Sequence, residues 1–508
     1  MSIDVVDKFD ERVISFAKDM DSSNDAKNAE KIHSLIEDAK ILIPQLDIIS
    51  QFYLYFIIGT AYANLDSFPS FHYNEINLEK QIYNFRKSEE IFKQIPQTMD
   101  NKMLSQVNGL ACQLYTNYGN SLAKCGRISS SIRVYLHAKK INPKFGMALG
   151  SIGLTYFHYA SSVFNDYHYY YIHYFAYQFL NEAIKYPDTL EPEALDNYSK
   201  MISNYDPNFV ETFGKHPLKY KGNNYESKEE LEYRQWAINY HLFINPMSDL
   251  PIYDLYFATD ILHLPNIILK IDEKSVYQGL FNQLKEEYIF ARYSYYESLH
   301  TPSTNHFVDN QTFLLKFPDY SQYSLRLEKM KTSFRILYSI LDKVAYFLNS
   351  YYHLGIPEKS IDFNKIWPHL KKETSDGGIV DLSKNRSLNA IYWISKDFYP
   401  DLFVSLKDES PNPNAKHLRD LRNALEHKYV IIYSDIFPKY SDGKKDDLAQ
   451  YISEESLCYD TLNLMKLVRE VLINLVFAVN IEDKHIRSKI TGPIGEILLL
   501  SYEDEWKL

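Results

Sequence analysis

The stretch YGNSLAKCGRISSSIRVYLHAKKINP, residues 118–143, predicts two helices packed closely against each other. Small and large side chains alternate along it at helical spacing on both sides of a turn. These positions are Gly119, Leu122, Ser131, Tyr135, Ala138 and Pro143. The small residues allow the two helices to approach, and the aromatic residue fills the groove between them. Such a unit buries its apolar face only against a neighbour, so it predicts an array of similar units.

The same pattern recurs along the first part of the chain. Gly153 repeats Gly119 at a spacing of 34 residues, and an earlier copy, IIGTAY, places Gly59 in the same role. The residues that accompany these glycines are Tyr118 and Leu122, Ile152 and Tyr156, and Ile58 and Tyr62. This period is that of the tetratricopeptide repeat, and residues 1–190 resemble a region of such repeats.

The predicted array is irregular. About 60 residues separate Gly59 from Gly119, with an insertion near SFPSFHYNEIN. A Tyr-rich stretch is expected to displace the second helix of the later unit to AYQFLNEAIKYP. A short solenoid of this kind implies a concave surface for a protein or peptide partner. The alternative is a helical scaffold that binds nothing.

Composition and charge narrow the class of protein. A chain of 508 residues predicts more than one domain. The net charge of −11 argues against indiscriminate binding to nucleic acid or anionic membrane, so any nucleic-acid contact should be local. Cys112, Cys125 and Cys458 lie far apart and are too few for a disulfide framework or a cysteine zinc site. Because the N-terminal segment is charged and no apolar run approaches ~20 residues, we expect a cytoplasmic protein with no membrane segment.

Helical patterns dominate the rest of the chain as well. Residues 191–282 predict a helical connector, in which a helix within WAINYHLFINPMSDLPIYD stops at Asn245-Pro246. Long helices are predicted at 284–299, 323–352 and 448–479. The second of these has one apolar face, made of Leu327, Met330, Phe334, Leu337, Leu341, Val344, Ala345 and Leu348. With a further helix over 421–430 they predict a four-helix bundle within 283–508, so the whole chain is expected to be all-α.

A polar cluster lies on that further helix, LRNALEHKYV. The residues at helical spacing toward the core are Leu418, Leu421, Leu425 and Tyr429. Asn423 and His427 are four residues apart and share one stripe near the middle of the predicted helix. Arg422 is offset by only ~100°, and its long side chain reaches the same stripe. An arginine, an amide and a histidine therefore converge on one helix surface.

An arginine followed by a histidine is a weak pattern by itself, and Arg234 with His241 is a decoy of this kind. Requiring asparagine directly after arginine leaves Arg422, Asn423 and His427. Their run, LRNALEHKY, resembles the R-N-x-x-x-H motif of the HEPN superfamily (higher eukaryote and prokaryote nucleotide-binding). The runs SILDKVAYFLNSYYHLGI and NRSLNAIYWISKDFYP are similar to the HEPN branch found behind tetratricopeptide-like helices. This resemblance covers about 284–480.

The resemblance implies a metal-independent endoribonuclease without a cofactor, active on RNA as a homodimer formed through the HEPN bundle. The residues themselves suit that chemistry. Cleavage through the 2′-hydroxyl of RNA needs a base, an acid and a cation near the phosphorus. Histidine acts as either acid or base, so two copies of His427 would supply both. Arg422 offers a planar fork of donors to phosphate, and Asn423 can hold the histidine or a phosphate oxygen.

Neighbouring residues extend the predicted site. Arg419, Glu426 and Lys428 are expected to bind substrate or tune the catalytic group. Tyr429 or Tyr433 becomes an acceptor if the protein is instead a HEPN toxin regulated by nucleotide modification near its motif. Family analogy favours a toxin or an anti-phage (abortive-infection) effector that is controlled through its repeat domain.

A non-catalytic dimeric scaffold remains the other interpretation. In it, Arg422 pairs with Glu426, and His427 caps the helix or lies in the core.

Two residues of the first bundle helix, Arg292 and Glu297, are weaker candidates for the predicted catalytic site.

Overall fold

The chain is built mainly of α-helices in the part that the computed structural model describes. That part comprises residues 8–66, 68, 74–96, 98–215, 227–269, 276–301, 306–314, 322–375, 382–399, 402, 415–433, 448–492, 495 and 507. The helices of the first half are α1 (Glu11–Asp25), α2 (Ala29–Leu42), α3 (Ile48–Leu65), α4 (Glu75–Phe92), α5 (Asn101–Lys124), α6 (Ile128–Ile141), α7 (Gly146–Ala160), α8 (Asp166–Ala183), α9 (Pro192–Ser203), α10 (Pro207–Lys215) and α11 (Lys228–Asn239). Those of the second half are α12 (Tyr277–His300), α13 (Leu325–Tyr351), α14 (Ile366–Ser375), α15 (Arg386–Lys396), α16 (Ala415–His427) and α17 (Glu454–Lys489). The prediction of an all-α fold is confirmed.

Side-chain caps and one glycine define several helix boundaries. Asp47 accepts hydrogen bonds of 2.9 Å from two amides in the first turn of α3. Ser324 and Ser453 cap α13 and α17 in the same way, at 3.3 and 3.1 Å. Each such cap contributes about 1 kcal/mol to helix stability. Between α5 and α6, Gly126 has a φ of +83°, and an added Cβ would lie 2.4 Å from the carbonyl oxygen of Arg386.

Helices of the first half pack as neighbouring pairs: α3 with α4, α5 with α6, and α7 with α8. Gly119 lies under the ring of Tyr135, where an added Cβ would be only 2.3 Å from a ring carbon. Gly59 lies under Phe85 in the same way, at 2.6 Å. The predicted packing of a glycine beneath an aromatic ring is therefore confirmed for Gly119 and Tyr135. The sequence pattern did not name Phe85, and Gly153 lies against Leu180 instead of an aromatic ring. These helix pairs are consistent with repeats, and the assignment to the tetratricopeptide class stays a prediction.

Two local predictions in this half were wrong. The Tyr-rich stretch does not displace a helix, because α8 already begins at Asp166, where Asn165 accepts a hydrogen bond of 3.1 Å from the amide of His168. The predicted stop at Asn245-Pro246 comes too late, because α11 ends at Asn239. Residues 242–250 are instead a buried segment without α-helix, which ends in a 3₁₀ turn at Pro246–Asp249.

One continuous apolar core extends from Ile49 in α3 to Val479 in α17. A smaller core lies among α1, α2 and α3, and it reaches from Val13 to Phe68. The repeat region, the connector and the bundle therefore share buried surface. The predicted divisions 1–190, 191–282 and 283–508 remain predictions.

The bundle places α12 and α17 against α13, with α16 on α13 and α15 on α17. All eight residues of the predicted apolar face of α13 are at most 2% exposed. A pair of short parallel strands, β1 (Tyr429–Tyr433) and β2 (Ala449–Ser453), follows α16 and leads into α17. The predicted helix over 421–430 therefore ends early, at His427, because the β-branched and aromatic run YVIIY favours a strand.

Helix α3 is the one helix in the described ranges that is long and apolar enough to cross a membrane. Of its residues, 61% are buried inside the protein. It packs against α4 and contributes to both apolar cores. This burial favours a core helix over a membrane span.

Candidate functional site

Helix α16 presents one apolar face to the bundle and one polar face away from it. Leu418, Leu421 and Ala424 are at most 4% exposed, and Leu425 packs half-buried beside them. The predicted inward face is therefore confirmed for the leucines. It is wrong for Tyr429, which belongs to β1 and is 42% exposed.

Arg422 is held against α13 by groups on two successive turns. Its Nη2 lies 3.7 Å from Oδ2 of Asp342, and its guanidinium carbon lies 5.6 Å from the centre of the Tyr338 ring. Its Nη1 donates a hydrogen bond of 3.1 Å to Oδ1 of Asn423. About a third of the Arg422 side chain, 33%, stays exposed. The fork of donors is thus positioned and still accessible to an anion.

The positive charge of Arg422 is only partly neutralised by its neighbours. Burial raises the pKa of Asp342, while the amide of Phe363 and the charge of Arg422 oppose that shift. Burial likewise raises the pKa of Tyr338 to about 12. Because 3.7 Å is long for a charge-assisted hydrogen bond, the Asp342 contact is a loose ion pair that an anion at Arg422 can replace.

His427 is the last residue of α16 and is exposed. The predicted position near the middle of a helix was wrong, since the helix ends here. Among the described residues, its ring makes no hydrogen bond, so it neither lies in the core nor has a fixed partner in a single copy of the chain. Asn423 is one turn earlier on the same stripe, which brings the two side chains into reach of each other.

The residues predicted to tune the site divide into two groups. Glu426 and Lys428 are exposed beside His427. Arg419 is half-buried, and its charge acts on Tyr338 together with that of Arg422. Since Arg422 pairs with Asp342 on α13, the alternative in which it pairs with Glu426 on its own helix was wrong.

The two tyrosines of the modification hypothesis lie at opposite ends of β1. Tyr429 is exposed, and its hydroxyl lies 3.2 Å from that of Tyr323. Tyr433 is half-buried at the far end. The amide of Gln322 donates a hydrogen bond of 2.8 Å to the carbonyl of Ile432, which fixes this segment beside β1. An exposed aromatic pair therefore lies at the start of β1, two residues after His427 along the chain.

Other polar residues near the bundle have structural partners. Arg292 is 1% exposed and forms an ion pair of 2.6 Å with Asp260, so it is not available to the candidate site. Glu297 forms an ion pair of 3.2 Å with Lys329. The weaker predictions for these two residues are thus not supported by their positions.

His417, ten residues before His427, has a separate role. Its Nε2 lies 3.0 Å from Oδ2 of Asp460 on α17, and this hydrogen bond raises the pKa of His417. The contact fixes the start of α16 to α17.

Three residues around the site, Tyr338, Asp342 and Tyr323, were not predicted from the sequence. Tyr338 and Asp342 are four residues apart on α13, so their shared helix stripe beside the apolar face was the available signal. Tyr323 precedes the same helix and carries no such pattern. Within the described ranges, no group of three His, Cys, Asp or Glu side chains is placed to hold a metal ion.

The comparison with protein families agrees with the arrangement of these helices. Residues 268–482 match the family model of LA2681-like HEPN. This matched segment contains α12 to α16 and most of α17, together with the Arg422, Asn423 and His427 group. Neither the search of curated proteins nor that of solved structures gave a match.

Proposed function

We propose, from the premise that residues 268–482 form a HEPN-superfamily domain, that this protein is a metal-independent endoribonuclease. Its catalytic residues are Arg422, Asn423 and His427. The observation that carries the proposal is the contrast within this group. The arginine is held and accessible, and the histidine five residues later on the same helix is exposed and free of partners among the described residues. A positioned phosphate binder next to a free acid–base group suits cleavage of a phosphodiester.

The proposed reaction uses the nucleophile of the substrate itself. A base removes the proton of the 2′-hydroxyl, the 2′-oxygen attacks phosphorus, and the bond to the 5′-oxygen breaks as an acid protonates it. The products are a 2′,3′-cyclic phosphate and a 5′-hydroxyl. Arg422 exchanges its loose contact with Asp342 for the scissile phosphate, where its charge is needed most as the pentacoordinate state forms. Asn423 orients the phosphate or the ring of His427.

One chain supplies one histidine to a reaction that needs two proton transfers. We therefore place the second His427 on a second copy of the chain, related by a two-fold axis. Exposed apolar side chains in the segment before α13 suit this arrangement: Phe307, Val308, Phe313 and Leu314 are between 48% and 89% exposed. Their segment is tied to the first turn of α13 by a hydrogen bond of 2.8 Å from the amide of Leu325 to Asp309. Burial of such a patch in a dimer would remove it from water.

The biological role follows by analogy with the family and not from geometry. We propose a cytoplasmic toxin or abortive-infection effector, in which the helical repeats receive a signal and the HEPN dimer cuts RNA. The net charge of −11 is compatible with this role if RNA contacts only the local cations of the motif, which include Arg419 and Lys428.

A second candidate function rests on Tyr429. Tyr429 is the more exposed of the two predicted acceptors for nucleotide modification near the motif. Mass spectrometry of the protein isolated from its own cells would detect a nucleotidyl adduct on this residue. A purely unmodified Tyr429 in cells that carry the protein would remove this alternative.

The proposed ribonuclease activity is tested with His427→Ala and Arg422→Ala. Each should lower the cleavage rate on the order of 10² to 10⁴, because acid–base and phosphate-binding groups contribute that much. The melting temperature should stay unchanged, since both side chains are partly or fully exposed. His485→Ala, an exposed histidine on α17, is the matched control and should keep full activity. Full activity in His427→Ala would refute the catalytic assignment.

The shared site is tested by mixing the two inactive variants. A heterodimer of Arg422→Ala and His427→Ala chains places intact residues from each partner in one composite site, so partial recovery of cleavage is expected. A wild-type chain that is monomeric at the assay concentration and fully active would contradict the shared site.

A further inference from the structure

A groove lies in the repeat region, far along the chain from the proposed catalytic residues. It runs beside α8 and is bordered by the turn between α6 and α7 and by Pro251 of the connector. Its volume is about 730 Å³, which falls in the range of small-molecule sites, about 300 to 1,000 Å³. A cavity of this size suits a ligand of a few rings.

The walls of the groove carry an excess of positive charge. Lys139, Lys144 and Lys185 all line it, and Glu182 is the one carboxylate among its lining residues. Glu182 is already neutralised, because it forms an ion pair of 2.6 Å with Lys185 and accepts a hydrogen bond of 2.9 Å from the hydroxyl of Tyr186. Within the described ranges, Lys139 and Lys144 have no carboxylate within ion-pair distance. Two lysines thus remain available for an anionic ligand.

Aromatic rings form the rest of the surface. Phe175, Phe179 and Tyr186 line the groove, and Lys139 lies with its Nζ 5.0 Å from the centre of the Phe179 ring. The lysine is thereby held over an aromatic wall instead of extending into water. Aromatic faces bind planar rings by stacking, at about 1 to 3 kcal/mol per base in nucleic-acid complexes. The groove therefore combines a site for phosphate with a site for a planar ring.

We infer that this groove binds a nucleoside phosphate. The lysines bind the phosphate groups, and the base lies against the aromatic wall. This site is separate from the ribonuclease motif, and the inference about binding does not depend on the proposed activity.

The floor of the groove is connected to the HEPN domain through buried contacts. Two residues before Pro251, Asp249 forms an ion pair of 2.7 Å with Arg469 of α17, and neither side chain is more than 3% exposed. The same carboxylate accepts hydrogen bonds of 3.0 Å from Ser129 of α6 and Tyr159 of α7. A ligand that shifts Pro251 would therefore act on a contact shared by the repeats and the bundle. This regulatory consequence, unlike the binding itself, rests on the proposed function.

Binding is tested by isothermal titration of the full chain, without any measurement of cleavage. The probes are the ribonucleoside mono- and triphosphates. Adenosine, which lacks the phosphate, and inorganic phosphate, which lacks the nucleoside, are tested beside them as the two halves of a ligand. At least one nucleotide should bind in the micromolar range, more tightly than either half. Lys144→Glu, an exposed substitution in a turn, should weaken binding on the order of tenfold or more, because one charge-assisted contact becomes a repulsion. Lys139→Gln should weaken it as well.

Two control variants locate the binding. Lys200→Glu changes an exposed lysine of α9 outside the groove, and Arg422→Ala removes the phosphate binder of the motif. Both should bind the nucleotide as the wild type does. Loss of binding in Arg422→Ala alone, or no heat with any nucleotide at about 1 mM, would overturn the inference. Binding of an acidic peptide in place of every nucleotide would overturn it too.

Discussion

The carboxylate of Asp397 links the repeat region to the HEPN domain through ion pairs. Replacing Asp397 with alanine should therefore destabilise the whole molecule. Its two carboxylate oxygens lie 2.8 and 2.9 Å from the guanidinium nitrogens of Arg86, and one of them lies 2.7 Å from Arg127. Asp397 follows α15, while the two arginines belong to α4 and to the turn before α6. All three side chains are at most 12% exposed. Two cations of the repeats therefore share one carboxylate of the bundle.

The expected loss of stability follows from the two buried arginines that remain after the substitution. Asp397→Ala removes the carboxylate that the two buried guanidinium groups share. Breaking one buried pair in this way costs about 3 to 5 kcal/mol. The two pairs share a carboxylate, so their costs do not simply add. We expect the free energy of unfolding to fall by at least about 3 kcal/mol. Asp397→Asn keeps the shape and should lose less, because its amide oxygen still accepts a hydrogen bond.

The assay is urea unfolding followed by tryptophan fluorescence, since Trp393 on α15 is 2% exposed and reports on this region. Asp196→Ala, an exposed carboxylate on α9, is the matched control and should leave the midpoint unchanged. The two arginines hold the pKa of Asp397 below its usual value. Its stabilisation is therefore present above the unfolded-state pKa of about 3.9 and is lost as the pH falls through the lower folded-state pKa. A loss below about 0.5 kcal/mol near neutral pH would refute the reasoning.

Three further perturbations test packing, burial and assembly. Gly119→Ala should cost about 1 to 3 kcal/mol by overpacking against Tyr135, whereas Gly109→Ala in the same helix, with nothing within 4 Å, should be neutral or stabilising in thermal unfolding. Burial lowers the pKa of Lys466 to about 8, so stability should rise between about pH 8 and 10.4, and Lys466→Met should raise the urea midpoint at neutral pH and abolish that rise. Phe313→Asp should weaken the dimer in sedimentation experiments, and an unchanged dimer would show that this patch is not the interface.

Local patterns predicted the helices and their buried faces. The apolar face of α13 is buried at every predicted position, because its periodicity depends only on the residues of that helix. The glycine beneath Tyr135 also follows from a local repeat, since one unit of the repeat carries both partners. The HEPN assignment of 268–482 agrees with the LRNALEHKY run for a similar reason: the motif lies within one turn and a half of helix.

Contacts between distant parts of the chain were not predictable in this way. Asp342 approaches Arg422 only because α13 and α16 cross in the bundle, and no periodicity of either helix specifies that pairing. The same holds for Asp249 with Arg469 and for the strand that ends α16 at His427. The strand forms because residues 429–433 find a parallel partner at 449–453, which tertiary structure brings beside it.

The most direct test of the proposed chemistry is cleavage of an RNA in EDTA, compared with the same RNA carrying a 2′-O-methyl group at the scissile position. The wild-type protein should cut the unmodified RNA without metal and leave a 2′,3′-cyclic phosphate and a 5′-hydroxyl. The methylated position should stay intact, because the attacking 2′-oxygen is blocked and His427 has no proton to remove. Cleavage at the methylated position, or cleavage that appears only when a divalent metal is restored, would contradict the proposed mechanism.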